Sequence, residues 1–309
     1  MSGIKITIKN LMIKLILKGG LGNQMFQYAF AKSVAIETNQ ELVLDTSFLD
    51  NRIPIKDFTV RHFELDLFNI PEKKIKTFKI DLLQKYLSYP LALFLNKFNK
   101  SYLLEGLDFY KFDEDLYNKA ITISNPVIEG YFNNYNYFNK YEKEIKEVFN
   151  TDKLYDSNFD EIEQQIKNTN SVSINIRRGD YTNFKHKDVF VFLDENYYKQ
   201  AIDIIREKVE NPHFYIFSID FPANDDSYFI NNLGLARSEI TLLDKSYTGE
   251  RFKTYLRLIS LCKHNIMANS TFSFWGGYLN KNNAKVVISP KRWVNRLSNF
   301  NIPISWLGL

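Results

Sequence analysis

The chain has 309 residues, more than one domain usually contains, and its 45% hydrophobic content allows a sizeable core in each of two halves. Its 40 basic and 36 acidic residues leave a net charge of only +4, which argues against a nucleic-acid partner. The one cysteine, Cys262, excludes an internal disulfide framework. We expect it to be a small buried residue on a helix, in a reducing cytoplasm.

The first predicted strand, residues 12–17, leads into a glycine-rich turn and a helical pattern that reaches about residue 37. The turn and the helix start have the sequence GGLGNQMFQYA (residues 19–29). Glycines let the backbone approach a ligand closely, and a helix start offers unpaired N–H groups to an anion. No Gly-Lys-Ser/Thr follows, so the turn is not a P-loop. A simple tight connection is the alternative, but the polar Asn23 and Gln24 favour a ligand contact.

The longest apolar stretch, residues 86–95, contains Pro90 and is too short for a membrane span of about 20 residues. Lysines flank it on both sides. The stretch therefore suits a core helix pair, which we favour, or peripheral contact with an anionic membrane surface. No secretory signal is evident near the start of the chain, which indicates a cytoplasmic protein.

A polar, charged segment at residues 150–170 divides the chain into predicted domains 1–160 and 161–309. In the second domain, strand and helix signals alternate regularly. This alternation is typical of a parallel sheet with helices on both faces, and residues 12–45 predict a similar βαβ unit in the first domain. The predicted strands of the second domain are residues 171–176, 214–218, 239–243, 265–268 and 285–289.

The first of these strands ends in NIRRGDY (residues 175–181). In an open α/β sheet, ligands bind at the carboxyl ends of the strands, and a planar guanidinium grips phosphate oxygens in a bidentate manner. Arg177 and Arg178 are therefore candidates to hold a pyrophosphate. An arginine pair on a solvated surface is the alternative interpretation.

Three hydroxyls lie close together in ANSTFSFWGGY (residues 268–278), where a predicted strand leads into a predicted helix. Ser270 or Thr271 is expected to cap that helix. The same cluster at a helix N-terminus would also seat a phosphate, and the two roles are compatible.

Together, these three segments resemble the inverting α1,2-fucosyltransferases of glycosyltransferase family 11, and more loosely the α1,6- and protein O-fucosyltransferases. The likeness also includes GYF (residues 130–132) and PKRW (residues 290–293), and it spans most of the chain. It implies a GT-B-like α/β fold of two Rossmann-like lobes, with the donor in the C-terminal lobe and the acceptor side in the N-terminal lobe. The implied reaction transfers L-fucose from GDP-β-L-fucose to galactose O2 of an oligosaccharide or lipid-linked glycan, during synthesis of a bacterial surface polysaccharide or O-antigen.

The resemblance also implies roles for individual residues. Arg177 would bind the β-phosphate and stabilise the departing GDP, while Arg178 would either help or pair with Asp180. Asp180 is a candidate base, although an arginine partner would lower its pKa and weaken it as a base. Asn23 is the better candidate to orient the acceptor or the fucose.

The remaining donor contacts are expected on both sides of the cleft. They are Gly20 and Gly22 on the glycine turn, and Ser270, Thr271 and Phe272 at the hydroxyl cluster.

Three positions depart from the family pattern. Asn175 replaces a histidine, and Thr254 replaces an acidic residue thought to read guanine, a role that Glu250 is close enough to take over. Phe274 stands where a tryptophan is common. These changes leave two further hypotheses open: a transferase that uses another nucleotide sugar, and a catalytically silent binder with the same fold.

A metal ion is not expected, and neither is any cofactor besides the donor substrate. Asp113-Glu114-Asp115 has the Asp-x-Asp form that binds Mn²⁺ in other glycosyltransferases, but it lies in an acidic stretch with a helical pattern that suits a solvated helix face. The two arginines would supply the positive charge of the missing metal.

Overall fold

The structure is a computed structural model, and it describes residues 11–50, 61–76, 93, 97–176, 190–219, 227–295 and 297–309. Within these residues the chain forms two α/β lobes, each built on an all-parallel sheet. The predicted fold class is confirmed. No helix of the described ranges is long and apolar enough to cross a membrane. Most of the apolar stretch 86–95 lies outside the described residues.

The described part of the N-terminal lobe has a five-stranded sheet with the order β3-β2-β1-β5-β4. Its strands are β1 (Met12–Ile16), β2 (Glu41–Asp45), β3 (Lys73–Ile75), β4 (Tyr102–Leu104) and β5 (Val127–Glu129). Its helices are α1 (Leu21–Thr38), α2 (Ser47–Asp50), α3 (Glu114–Thr122) and α4 (Glu142–Val148).

The described part of the C-terminal lobe has a six-stranded sheet with the order β11-β10-β9-β6-β7-β8. Its strands are β6 (Asn170–Asn175), β7 (Pro212–Phe217), β8 (Ile240–Leu243), β9 (His264–Ile266), β10 (Val287–Ser289) and β11 (Leu307–Gly308). Its helices are α5 (Asp160–Asn168), α6 (Glu195–Lys208), α7 (Ser227–Leu233), α8 (Lys253–Leu261) and α9 (Thr271–Leu279). All five predicted strands are present, and Cys262 is buried as expected, but it follows α8 instead of lying on it.

Helix α1 occupies the centre of the molecule. Almost every residue from Leu21 to Ala31 is buried, so the helix is enclosed on all sides instead of having one buried stripe. It ends at Asn39, whose left-handed backbone (φ 53°) is typical of a helix C-terminus. A helix buried in this way needs packing partners on several faces, and the second lobe supplies one of them.

An aromatic cluster joins the two lobes through α1 and α9. The ring of Phe26 lies 4.8 Å from that of Phe274 and 5.1 Å from that of Trp275. Phe138 of the N-terminal lobe stacks on Trp275, and the Trp275 indole N–H donates a 3.0 Å hydrogen bond to the carbonyl of Gly22. Because this shared core is apolar and buried, it fixes the position of one lobe against the other.

A buried ion pair anchors the segment that connects the lobes. Arg257 on α8 pairs with Glu163 on α5, with one N–H···O distance of 2.9 Å. The same guanidinium donates a 2.9 Å hydrogen bond to the carbonyl of Thr151 in the connecting segment. Arg257 and Glu163 are 6% and 2% exposed, so each depends on the other to remain charged in the interior.

Candidate functional site

The three sequence motifs follow strands at the centres of the two sheets. In the first sheet the strand order reverses between β1 and β5, and the glycine turn follows β1. In the second sheet the strand order reverses between β6 and β9. The arginine motif follows β6 in sequence, and the hydroxyl cluster follows β9. Crevices at such switch points, outside the carboxyl ends of the strands, are where open α/β sheets bind ligands.

The two switch points meet at Gly22. A Cβ atom added to Gly22 would lie 2.6 Å from the backbone nitrogen of Phe272 and 2.7 Å from the Thr271 hydroxyl oxygen. Only glycine allows this approach, so the sequence requirement at Gly22 comes from contact between the starts of α1 and α9.

A cavity of 440 Å³ opens beside this contact. Its size falls within the usual range for small-ligand sites, about 300–1,000 Å³. Among the described residues, it brings together every predicted site residue of the glycine turn and the hydroxyl cluster. The N-terminal lobe contributes Gly20, Leu21, Gly22, Asn23, Arg61 and Glu64. The C-terminal lobe contributes Asn175, Ile176, Phe217, Ser218, Ile219, Arg251, Phe252, Tyr255, Ala268 and residues 270–273.

A larger cleft of 1040 Å³ lies at the opposite end of α9, between that helix end and α4. Its lining includes Tyr135, Tyr278 and Trp306 and several asparagines, but none of the predicted site residues. The smaller cavity is therefore the candidate site.

The start of α9 forms the C-terminal-lobe wall of the cavity. Ser270 is the N-cap residue, with an extended backbone, but its side chain makes no capping hydrogen bond. The first N–H groups of the nine-residue helix and the partial positive charge of its N-terminus therefore suit an anion. Thr271 and Phe272 lie at the same helix start, beside Gly22.

Asn175, which replaces the family's histidine, holds the ends of β6 and β9 together. Its side-chain oxygen accepts a 2.9 Å hydrogen bond from the Ser273 hydroxyl, whose oxygen accepts from the backbone N–H of Ala268. The Tyr198 hydroxyl donates to the Asn175 carbonyl. A neutral amide is sufficient for this connection, so the structure gives position 175 a role that needs no charge.

The sequence did not point to four residues of the cavity wall: Arg61, Glu64, Arg251 and Phe252. Burial raises the pKa of Glu64, against the opposing effect of the neighbouring Arg61. Arg251 and Phe252 both have left-handed backbones, with φ 52° and 62°. This conformation is unfavourable for bulky residues with a Cβ, and such backbone strain is enriched at functional sites. Gly249, with φ 65°, was the one signal in the sequence for this unusual turn.

The residues considered for guanine recognition lie away from the cavity lining. Thr254 is buried, and its side chain packs against the backbone of Gly249. Glu250 is exposed and pairs with Arg251, whose guanidinium also lies 2.7 Å from Asp66 of the other lobe. The lining therefore contains neither Thr254 nor Glu250.

Three predicted residues, Arg177, Arg178 and Asp180, lie outside the described residues, so their roles stay predictions. The strand that leads to them ends at the cavity wall.

The Asp-x-Asp segment begins a helix. Asp113 caps α3 by accepting a 2.9 Å hydrogen bond from the N–H of Leu116, while Glu114 and Asp115 are exposed. In the described ranges, no group of three histidine, cysteine or acidic residues is arranged to hold a metal ion.

Two parallel-sheet lobes with a cavity between their switch points have the GT-B architecture of many glycosyltransferases. The sequence pattern of glycosyl transferase family 11 matches residues 12–308, and the chain belongs to that family.

Two curated relatives from Escherichia coli match this chain over nearly its whole length. The O-antigen biosynthesis glycosyltransferase WbnK is 34% identical, over 95% of this chain and 99% of the relative. An alpha-1,2-colitosyltransferase is 30% identical, over 95% of this chain and 97% of the relative. Among solved structures, a variant of Arabidopsis thaliana FUT1 in complex with GDP has the same fold, with a TM-score of 0.51 at 12% identity over 92% of this chain and 71% of that one.

Proposed function

We propose that this glycosyltransferase transfers L-fucose from GDP-β-L-fucose to galactose O2 of a glycan acceptor, with inversion and without a metal ion. The observation that carries the proposal is the meeting of the glycine turn with the start of α9 at one cavity. This arrangement brings an anion-binding helix start against the lobe expected to hold the acceptor.

The reaction requires stabilisation of the leaving group. As the bond between fucose C1 and the phosphate oxygen breaks, negative charge grows on GDP. The N-terminus of α9 and Arg251 line the cavity from the C-terminal lobe and would stabilise that charge. We expect Arg177 to bind the β-phosphate and Arg178 to assist, so positive charge would come from the protein instead of a metal.

The rings of Phe252 and Tyr255 provide an aromatic wall on the same lobe, with centroids 6.2 Å apart. Phe252 is 41% exposed, so its ring is available to stack on a nucleobase. Apart from Glu64 in the wall of the other lobe, no carboxylate of the described residues lines the cavity, so base selection would depend on stacking and on the hydrogen-bonding groups of the C-terminal lobe.

Colitosyl transfer is the second candidate, and the similarity to an alpha-1,2-colitosyltransferase favours it. The two donors would share the nucleotide and differ in the sugar. The discrimination would therefore lie near Asn23 and the acceptor side of the cavity, away from the start of α9.

We also propose that the acceptor is an oligosaccharide or lipid-linked glycan of O-antigen synthesis, and that the enzyme works in the cytoplasm at the inner face of the bacterial membrane. The similarity to a glycosyltransferase of O-antigen biosynthesis supports this class of acceptor.

Calorimetric titration of GDP and UDP in EDTA tests the donor class. We expect binding of GDP but not UDP, and its loss in Arg177→Ala. Arg206→Ala is the matched control, because Arg206 forms an exposed ion pair with Glu239 outside the cavity. Transfer assays with GDP-fucose and GDP-colitose on a β-galactoside then separate the two candidates. Absence of GDP binding by the intact chain would refute both.

A further inference from the structure

The segment that follows residue 60 is bound tightly to the glycine turn by one buried side chain. The Gln24 amide donates hydrogen bonds to the carbonyls of Gly19 (2.8 Å) and His62 (2.7 Å). Its oxygen accepts a 3.0 Å hydrogen bond from the N–H of Glu64. Gln24 is fully buried, so these three bonds hold the backbone of Glu64 in one position.

The carboxylate of Glu64 lies at the start of α1. Burial raises the pKa of this carboxyl, and the nearby backbone N–H of Leu21, the first residue of that helix, opposes the rise. Glu64 lines the wall of the cavity, with its backbone held by Gln24. A proton acceptor for catalysis needs such a defined position.

Glu64 differs chemically from the other residues around the cavity. Among the described lining residues it is the one carboxylate, and the lining contains no histidine, lysine or cysteine. The Tyr255 hydroxyl is already hydrogen-bonded to the carbonyls of Leu243 and Asp244. Of the described groups in the wall, Glu64 is therefore the one suited to accept a proton near neutral pH.

Charged groups surround Glu64 from both lobes. Burial raises its pKa, while Arg61 and the more distant Arg251 and His62 act in the opposite direction. Asp66 pairs with Arg251 and offsets part of that effect. Three more charged residues, which follow β6, lie outside the described residues: Arg177, Arg178 and Asp180.

Glu64 also lies on the appropriate side of the cavity for an inverting reaction. It belongs to the N-terminal-lobe wall, while the anion-binding start of α9 belongs to the opposite lobe. An acceptor hydroxyl that attacks from the face opposite the leaving group would approach from the side of Glu64.

We propose that Glu64 is the general base of the transfer, an inference that rests on the proposed function. The acceptor hydroxyl oxygen forms the new bond to C1 of fucose while its proton passes to the Glu64 carboxylate. The bond between C1 and the phosphate oxygen breaks, and its electron pair leaves with GDP. Gln24 acts as a positioning residue because it holds Glu64 through the backbone.

The decisive variant is Glu64→Gln, which keeps the shape of the side chain but no longer takes a proton. We expect kcat to fall by about 10²–10⁴, with the thermal stability and the GDP affinity unchanged. The acid limb of the kcat–pH profile in the wild type should disappear in this variant. Glu64→Asp should retain the limb and have intermediate kcat, because its carboxylate is displaced by one methylene.

Asp115→Asn is the matched control, since it makes the same chemical change on an exposed residue at the start of α3. If Glu64 had only a structural role, Glu64→Gln would retain both kcat and the acid limb, and the proposal would be overturned. If the wild type bound GDP but transferred no sugar to any galactoside, the proposed function would fail as well, and the base with it. If the wild type transferred fucose and Glu64→Gln did so equally well, the role of Glu64 as the base would be refuted while the proposed function would stand.

Discussion

Substitution of Gly22 by alanine tests the contact on which the site depends. The added Cβ would lie 2.6 Å from the Phe272 nitrogen and 2.8 Å from the Thr271 carbonyl carbon, whereas ordinary van der Waals contact begins at 3.4 Å. Both neighbours are backbone atoms at a helix start, so neither moves independently. The starts of α1 and α9 must therefore separate by about 0.8 Å.

The cost follows from that displacement. Overpacking of this kind costs about 1–3 kcal/mol, and the better helix propensity of alanine returns up to about 1 kcal/mol. For a chain of this length the unfolding entropy is roughly 0.6 kcal/mol per degree, so Tm should fall by up to about 5 °C. Catalysis is more sensitive, since a misplacement near 1 Å reduces rates by about 10²-fold.

Thermal unfolding, GDP titration and sugar transfer measured on the same preparations give the three readouts. Gly106→Ala is the control, because a Cβ at Gly106 meets no heavy atom within 4 Å. We expect this control to match the wild type in all three. A Gly22→Ala enzyme with unchanged Tm and activity would show that the lobes do not meet at Gly22, and the argument for the site would be wrong.

Three further substitutions test other parts of the structure. Arg257→Met should lower the free energy of unfolding by about 3–5 kcal/mol, because it removes the buried partner of Glu163 and leaves this carboxylate only the partly exposed Lys167. The double variant with Glu163→Leu should be more stable than this single variant in urea titrations. Phe252→Ala should weaken GDP binding by about 1–3 kcal/mol in calorimetry if the ring stacks on the base, and unchanged affinity would exclude stacking. Burial raises the pKa of Glu105 to about 8, above its value in the unfolded chain. The protonated side chain contributes its full stability below the unfolded pKa, and this contribution is lost as pH rises through the folded-state pKa. Between pH 5 and 8 the wild type should lose about 3 kcal/mol more unfolding free energy than Glu105→Gln, and parallel urea profiles would contradict this assignment.

The fold was predictable because its signals are local. Short apolar runs alternate with helical patterns, and the five strands predicted for the C-terminal lobe differ from those observed by at most two residues at either end. Strand β11 gave no such signal, because a strand of two residues is recognised only by its pairing with β10.

The site was only partly predictable. Gly22 and Thr271 stood out because glycines and hydroxyls at helix starts have recognisable chemistry. Glu64 and Arg61 did not, because their segment reaches the cavity through the long-range hydrogen bonds of Gln24, which no local pattern reveals. Phe252 was missed for a related reason: a left-handed backbone at a bulky residue cannot be inferred from its sequence neighbours.

The aromatic face of α9 has a consequence for engineering this enzyme. Phe274 and Trp275 follow the hydroxyl cluster in sequence, yet they pack among residues of the N-terminal lobe. A separately expressed donor half would expose these rings to water and tend to aggregate. A chimera that joins this donor half to the acceptor half of another family member must therefore carry over the partners of α9, among them Phe26 and Phe138. Recombination of whole lobes would change the acceptor preference only if the packing between the lobes were kept. This packing is a stricter requirement than the chemistry of the cavity.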